Sequence, residues 1–195
     1  MRSLQHLALT FTVLVALGTA APALAGGGDY TFAGGTATQQ GQVKAALNAS
    51  SFNWSLVPTQ IVIHIAPGIP SEATVGNIWL DSNLLNTGMF SWGVVQHEYA
   101  HQVDFFLLDD EKRQVLNTVL GGSDWCYSVP GLAHAQYGCE RFASTLAWAY
   151  WPSADSCMKP TSSQDESAAM APAAFRAALA EALQTRALKN ARRPA

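Results

Sequence analysis

The stretch from Ser91 to Phe106, SWGVVQHEYAHQVDFF, limits what this chain can fold into more than any other, because it sets His97, Glu98 and His101 in the spacing His-Glu-x-x-His. Val94, Val95, Tyr99, Val103 and Phe106 make the remainder apolar, so the segment reads as a buried helix from about Ser91 to about Leu108. Residues four apart on an α-helix stand about 6 Å apart along the axis and about 40° apart around it, so both imidazoles can address one ion. Two histidines and a glutamate are costly to bury in so apolar a helix unless something satisfies them, and a metal ion does. Glu98 lies at the edge of the histidine face. From there its carboxylate reaches a water on the ion rather than the ion itself. The pattern predicts one Zn2+ per chain, held by His97 and His101, with Glu98 as general base and acid. Asp104, three residues beyond His101, is expected to accept from an imidazole N–H and fix its tautomer; a solvated acid is the alternative.

Catalytic zinc takes three protein ligands and a water, so a third ligand must come from elsewhere. A metzincin would carry glycine at Asp104 and histidine at Leu107, which this chain does not. Peptide deformylases use a cysteine upstream of the motif, whereas Cys126, Cys139 and Cys157 all follow it. Two candidates remain, Glu140 in YGCERFASTLAWAYW and His134 in GLAHAQYG. Ala143, Ser144 and Ala147 share the helix face of Glu140, and residues that small let this helix approach the metal helix closely.

Taken with ERFA, the segment HEYAHQVD resembles the gluzincin metallopeptidases, whose third ligand is a glutamate on a later helix. HEYAHQVD is also similar to the active-site helix of lethal-factor-type toxin proteases, which carry an aspartate at the place of Asp104. The resemblance covers roughly Ile78 to Tyr150. It implies a zincin-like fold, Glu140 as third zinc ligand, and His134 or Tyr137 as the electrophile at the oxyanion, with Tyr127 as a further choice. GLAHAQYG also resembles the aspzincin motif, with His134 in place of its aspartate and Tyr137 three residues on. The threonine of that motif is absent and the spacing is one residue short; on that reading His134 is the ligand. The strand expected at Gly76 to Asp81 resembles the edge strand on which zincins lay an extended substrate, and Trp79 and Trp92 are candidates to line the cleft.

The surrounding chain reads as one domain of 195 residues with a real core. Helices are expected at Thr38 to Ala49, Asp109 to Gly122, Cys139 to Tyr150 and in PAAFRAALAEALQTRAL. Strands are expected at Thr59 to Ala66 and near Gly76 to Leu85, giving an α+β fold with a small mixed sheet. Ser123 to Gly138 reads as a long irregular loop and TSSQDESA as a polar linker. Residues 26–37 form a glycine-rich lead-in, expected to be flexible, and 38–195 the domain. Residues 1–25 have the form of a signal peptide: Arg2, an apolar run from Leu7 to Leu17, and Ala23-Leu24-Ala25 at the cleavage point. Secretion permits one disulfide among the three cysteines, and a Cys126–Cys139 bridge would brace the segment between them.

These features together predict a secreted, monomeric zinc metallopeptidase acting on peptide or protein substrates. A net charge of -3 without a basic stripe points away from nucleic acid, and no segment after the leader is suited to a membrane. The alternatives are a secreted zinc-binding domain without activity and a metallohydrolase acting on a non-peptide substrate.

Overall fold

A helix as apolar as the one bearing the paired histidines has to be covered on every side, and the rest of the chain is arranged around it. The computed structural model describes residues 26–191, so the expected signal peptide lies outside the described residues. The elements run β1 (Tyr30–Gly34), α1 (Ala37–Ala49), β2 (Ile61–Ala66), β3 (Glu72–Thr74), β4 (Asn77–Asp81), α2 (Ser82–Leu85), α3 (Trp92–Leu107), α4 (Asp110–Leu120), α5 (Gly138–Tyr150) and α6 (Pro172–Ala191). This is the expected α+β class with one small mixed sheet.

The sheet has the order β1-β2-β4-β3, with β1, β2 and β4 parallel and β3 antiparallel to β4. Alternation in IVIHIA and NIWLD puts Ile61, Ile63, Ile65, Ile78 and Leu80 on the face toward the helices, where all are buried. Val43, Ala46 and Leu47 of α1 and Val95, Tyr99 and Val103 of α3 join the same core. On the far side of α3, Phe142 and Leu146 of α5 meet Phe175 and Leu179 of α6. Thus α3 is sandwiched between the sheet and α5. Gly93 marks how closely it is covered, since a Cβ there would come within 2.8 Å of the free thiol of Cys157.

Buried amides on α3 fasten it to its neighbours. Gln96 donates to Ala46 O in the last turn of α1, at 2.8 Å, satisfying a carbonyl that the helix end leaves open. Gln102 donates to Thr74 O (2.9 Å) and Asn77 O (3.1 Å) and accepts from Gly76 N (2.9 Å). One side chain thereby holds the whole turn between β3 and β4.

Two expectations change here. The lead-in is an ordered strand: Tyr30 to Gly34 pair with Ile61 to Ile65, and Gly34 at φ +85 lies where a Cβ would stand 2.6 Å from Ile65 O. Its glycines serve close backbone approach rather than looseness. The strand at Asn77–Asp81 is not an edge, because β3 covers it; β3 is the edge on that side.

Packing is also tight where α5 begins. A Cβ on Gly138 would overlap Asn117 Oδ1 and come within 2.9 Å of the Trp125 ring. Gly138→Ala is expected to lower the unfolding free energy by about 1–3 kcal/mol, as overpacked sites do. Urea unfolding checks this, and a stability equal to wild type would mean that the contact is soft.

Candidate metal centre

The close approach of α3 and α5 rests on Ala143, Ser144 and Ala147, all buried on the face toward α3. It brings Glu140, in the first turn of α5, against the histidines of α3. Glu140 Oε2 lies 3.1 Å from His97 Nε2 and 3.3 Å from His101 Nε2, and the two nitrogens are 3.2 Å apart. Four ligands at about 2.0–2.1 Å around a tetrahedral ion stand about 3.3–3.4 Å from one another. The three atoms are therefore spaced as ligands of one ion are, and these buried residues could hold a metal. A helix start favours a carboxylate, which supports Glu140 in this position.

Glu98 is 5% exposed and lines the same cavity, of about 360 Å³, together with Ser71, Glu72, Phe105, Tyr127 and His134. Burial pushes its carboxyl above the usual range, against the opposing pull of His97 and His101.

The loop from Ser123 to Gly138 is better ordered than its sequence suggests. Its ends zip together through Ser123 N to Gln136 O, Gly138 N to Asp124 O and Cys139 N to Trp125 O, at 2.7–2.8 Å. The last two bonds satisfy N–H groups at the start of α5. Cys126 is bonded to Cys139, the pairing that would brace this segment. Beside the bridge, Tyr127 sits at φ +56, a left-handed conformation that a bulky side chain rarely adopts. That backbone turns its ring over the cavity, where its hydroxyl donates to Glu140 Oε1 at 2.9 Å.

Tyr137 is the expected electrophile that the fold places elsewhere. It is 3% exposed, its hydroxyl donates to Val129 O at 2.8 Å, and its ring supports that of Tyr127 at 4.1 Å. The tyrosine at the site is Tyr127. Asp104 also differs from expectation: it accepts from Arg113 Nε (2.8 Å) and Trp125 Nε1 (3.1 Å) rather than from an imidazole. It ties α3 to α4 and to the loop. Trp79 stacks on His64, and Trp92 donates to Gln42 Oε1 against Trp151, so neither lines the cavity.

His134 reaches the site from a short 3-10 turn, with Nε2 3.4 Å from Glu140 Oε2. Its Nδ1 is 2.5 Å from Glu166 Oε1, and Glu166 Oε2 accepts from Ser144 Oγ at 2.8 Å. Ser144 Oγ in turn lies 3.0 Å from His97 Nδ1. Glu166 sits in the TSSQDESA segment, which is not a linker but a folded turn against α5. The Asp165 carboxylate there accepts from the Thr161 and Ser162 N–H groups, and Thr145 Oγ1 donates to Glu166 O at 3.1 Å. The hydrogen bond to Glu166 raises the His134 imidazole above its ordinary value, and burial opposes it. His134, Glu140 and Glu166 also fall within a ligand-like radius. However, His134 Nδ1 and Glu166 Oε1 are closer than two ligands on one ion stand, and they pair as a hydrogen bond.

Glu140→Ala is expected to abolish stoichiometric metal binding, and His134→Ala to retain it, as read by chelator competition on the purified chain. The reverse pattern would make His134 the ligand. Asp104→Asn is expected to cost about 2 kcal/mol of stability through its weakened tie to Arg113 while leaving metal affinity within a few-fold. A large loss of affinity with stability intact would instead place Asp104 in support of an imidazole. Comparison of the chain with protein families, with curated proteins and with solved structures finds no match.

Proposed function

We propose that the chain is a secreted zinc-dependent metallopeptidase of gluzincin type. The observation that carries this reading is the convergence of His97, His101 and Glu140 at ligand spacing, with Glu98 in the same cavity. A purely structural metal site has no use for a buried carboxylate beside its ligands. The donor set of two imidazoles and one carboxylate, leaving one position open, suits catalytic zinc. Bound there, zinc supplies a Lewis acid that brings the pKa of a coordinated water towards 7.

The remaining work falls to side chains of the protein. Glu98 accepts the proton of the attacking water and delivers it to the departing amine, a role helped by a carboxyl whose affinity for protons burial has raised. Tyr127 and His134 stand over Glu140 from the loop side, and the Tyr127 phenol carries an O–H for the oxyanion. Burial holds the Tyr127 hydroxyl well above its ordinary value, with the nearby Glu140 carboxylate acting in the same direction, so the phenol keeps its proton. Across the cavity, Ser71, Glu72 and Ala73 bring the free edge of β3 to the rim. An extended peptide can add to such an edge by main-chain hydrogen bonds, which favours peptides over compact substrates. Secretion is supported by the leader-like residues 1–25 and by the Cys126–Cys139 bond. Among the described residues no helix is long and apolar enough to cross a membrane.

Hydrolysis of a mixed peptide library by the zinc-loaded mature chain tests the reading. Glu98→Gln is expected to retain one zinc and lose turnover by about 10²–10⁴-fold; normal hydrolysis by this variant would remove Glu98 from the chemistry. Tyr127→Phe is expected to reduce kcat by about 10²-fold with zinc in place, whereas Tyr137→Phe acts on stability alone. If the two tyrosines behave in the opposite way, the electrophile has been assigned to the wrong ring.

A further inference from the structure

Glu166 is 19% exposed at its side chain and lies in the turn at 161–168, outside the helices that carry His97, His101 and Glu140. Its two oxygens are nonetheless both engaged toward the site, one with His134 Nδ1 and one with the Ser144 hydroxyl. Donors and acceptors along the chain can be aligned in one consistent order. With His97 Nε2 committed to a metal beside Glu140, its Nδ1–H donates to Ser144 Oγ, whose O–H donates to Glu166 Oε2. His134 donates its Nδ1–H to Glu166 Oε1. An ionised carboxylate accepts on both oxygens, and both bonds are then charge-assisted. The backbone that presents it is held independently, by the Asp165 cap over Thr161 and Ser162 and by Thr145 on the Glu166 carbonyl.

From this geometry we infer that Glu166 is the positioning residue of the centre, a single carboxylate that sets the ring orientation and tautomer of two histidines with different tasks. One is the metal ligand His97, reached through Ser144, and the other is His134, whose Nε2 faces the substrate side. The inference rests on the zinc reading for the hydrogen-bond order at His97, while the bond from His134 to Glu166 does not depend on it. Groups that orient a metal-bound imidazole characteristically contribute 10–100-fold to metal affinity. Glu166 therefore acts on metal retention and on the setting of the His134 ring together, and Ser144 on metal retention through the same path.

The test uses the full mature chain and two readouts besides activity. Long-range imidazole proton–nitrogen correlations report the tautomer of His97 in the zinc-loaded chain and that of His134 with or without metal. Wild type is expected to show Nδ1–H at both. In Glu166→Gln, of nearly the same shape, His134 loses that tautomer and His97 is perturbed; in Ser144→Ala only His97 changes. In chelator competition with zinc, each variant is expected to bind about 10–100-fold more weakly, and the double variant no more weakly than the weaker single one. Glu166→Gln alone also lowers kcat on peptide at saturating zinc, with KM unchanged. Glu166→Asp, which keeps the charge but is one methylene shorter, is expected to retain one of the two bonds and serves if the Gln variant does not fold. Unchanged tautomers in both Glu166 variants, additive zinc losses in the double variant, or a second zinc bound by wild type through His134 would each overturn the inference. If wild type binds no zinc at all, the peptidase reading fails and with it the path to His97, and the His134 tautomer still decides whether Glu166 orients that ring.

Discussion

Burying α3 places Gln96, His97, Glu98, His101, Gln102 and Asp104 where water scarcely reaches, and a polar group so placed needs a partner. The partners come from every direction. Gln96 reaches α1, Gln102 reaches the sheet, Asp104 reaches α4 and the disulfide loop, and the histidines reach α5. The polar groups of one helix thus dictate where five other parts of the fold lie. This differs from a core held by apolar contact alone, in which neighbours can slide by part of a turn with modest loss. Here a small shift would strand an amide or a carboxylate, so the register of the fold and the geometry of the centre are fixed by the same bonds.

Much of this was legible in the amino acids. The His-Glu-x-x-His helix, the alternating strands and the small-residue face beside Glu140 each have a local signature, a period or a spacing, that survives without knowledge of the fold. The features that escaped are those in which local pattern and tertiary role disagree. Tyr30 to Gly34 has the composition of a loose segment but is fixed by a parallel partner about thirty residues away. Tyr137 stands at a suggestive distance in sequence from His134, yet Val129 O claims its hydroxyl, while Tyr127 is swung into place by a backbone conformation that residue type argues against. Glu166 had no motif at all. A capping signal was present, since Asp165 follows Thr161 and Ser162 at turn spacing, but a cap says that a segment is ordered and not what it faces.

The centre also shows how a long loop is made rigid enough to carry a functional side chain. Its two ends are joined by main-chain bonds, its middle by the carboxylate of Asp124 on Ser128 and Val129, and its flank by the Cys126–Cys139 bond. The bridge links the residue before Tyr127 to the residue before Glu140. Two groups that meet at the cavity from separate elements are therefore also joined through a few covalent bonds, which limits the freedom lost when they are brought together.

The hold of Gln102 on the turn between β3 and β4 has a mechanical consequence. The strand that forms one rim of the cavity is bolted to the helix that forms its floor, so rim and floor move as a single body. A cleft built this way cannot widen on the side of the sheet without tearing a buried amide from three main-chain groups. The opposite wall, where Tyr127 stands, is held by its own main-chain bonds and the Cys126–Cys139 bond, so the cavity keeps its width when something enters it.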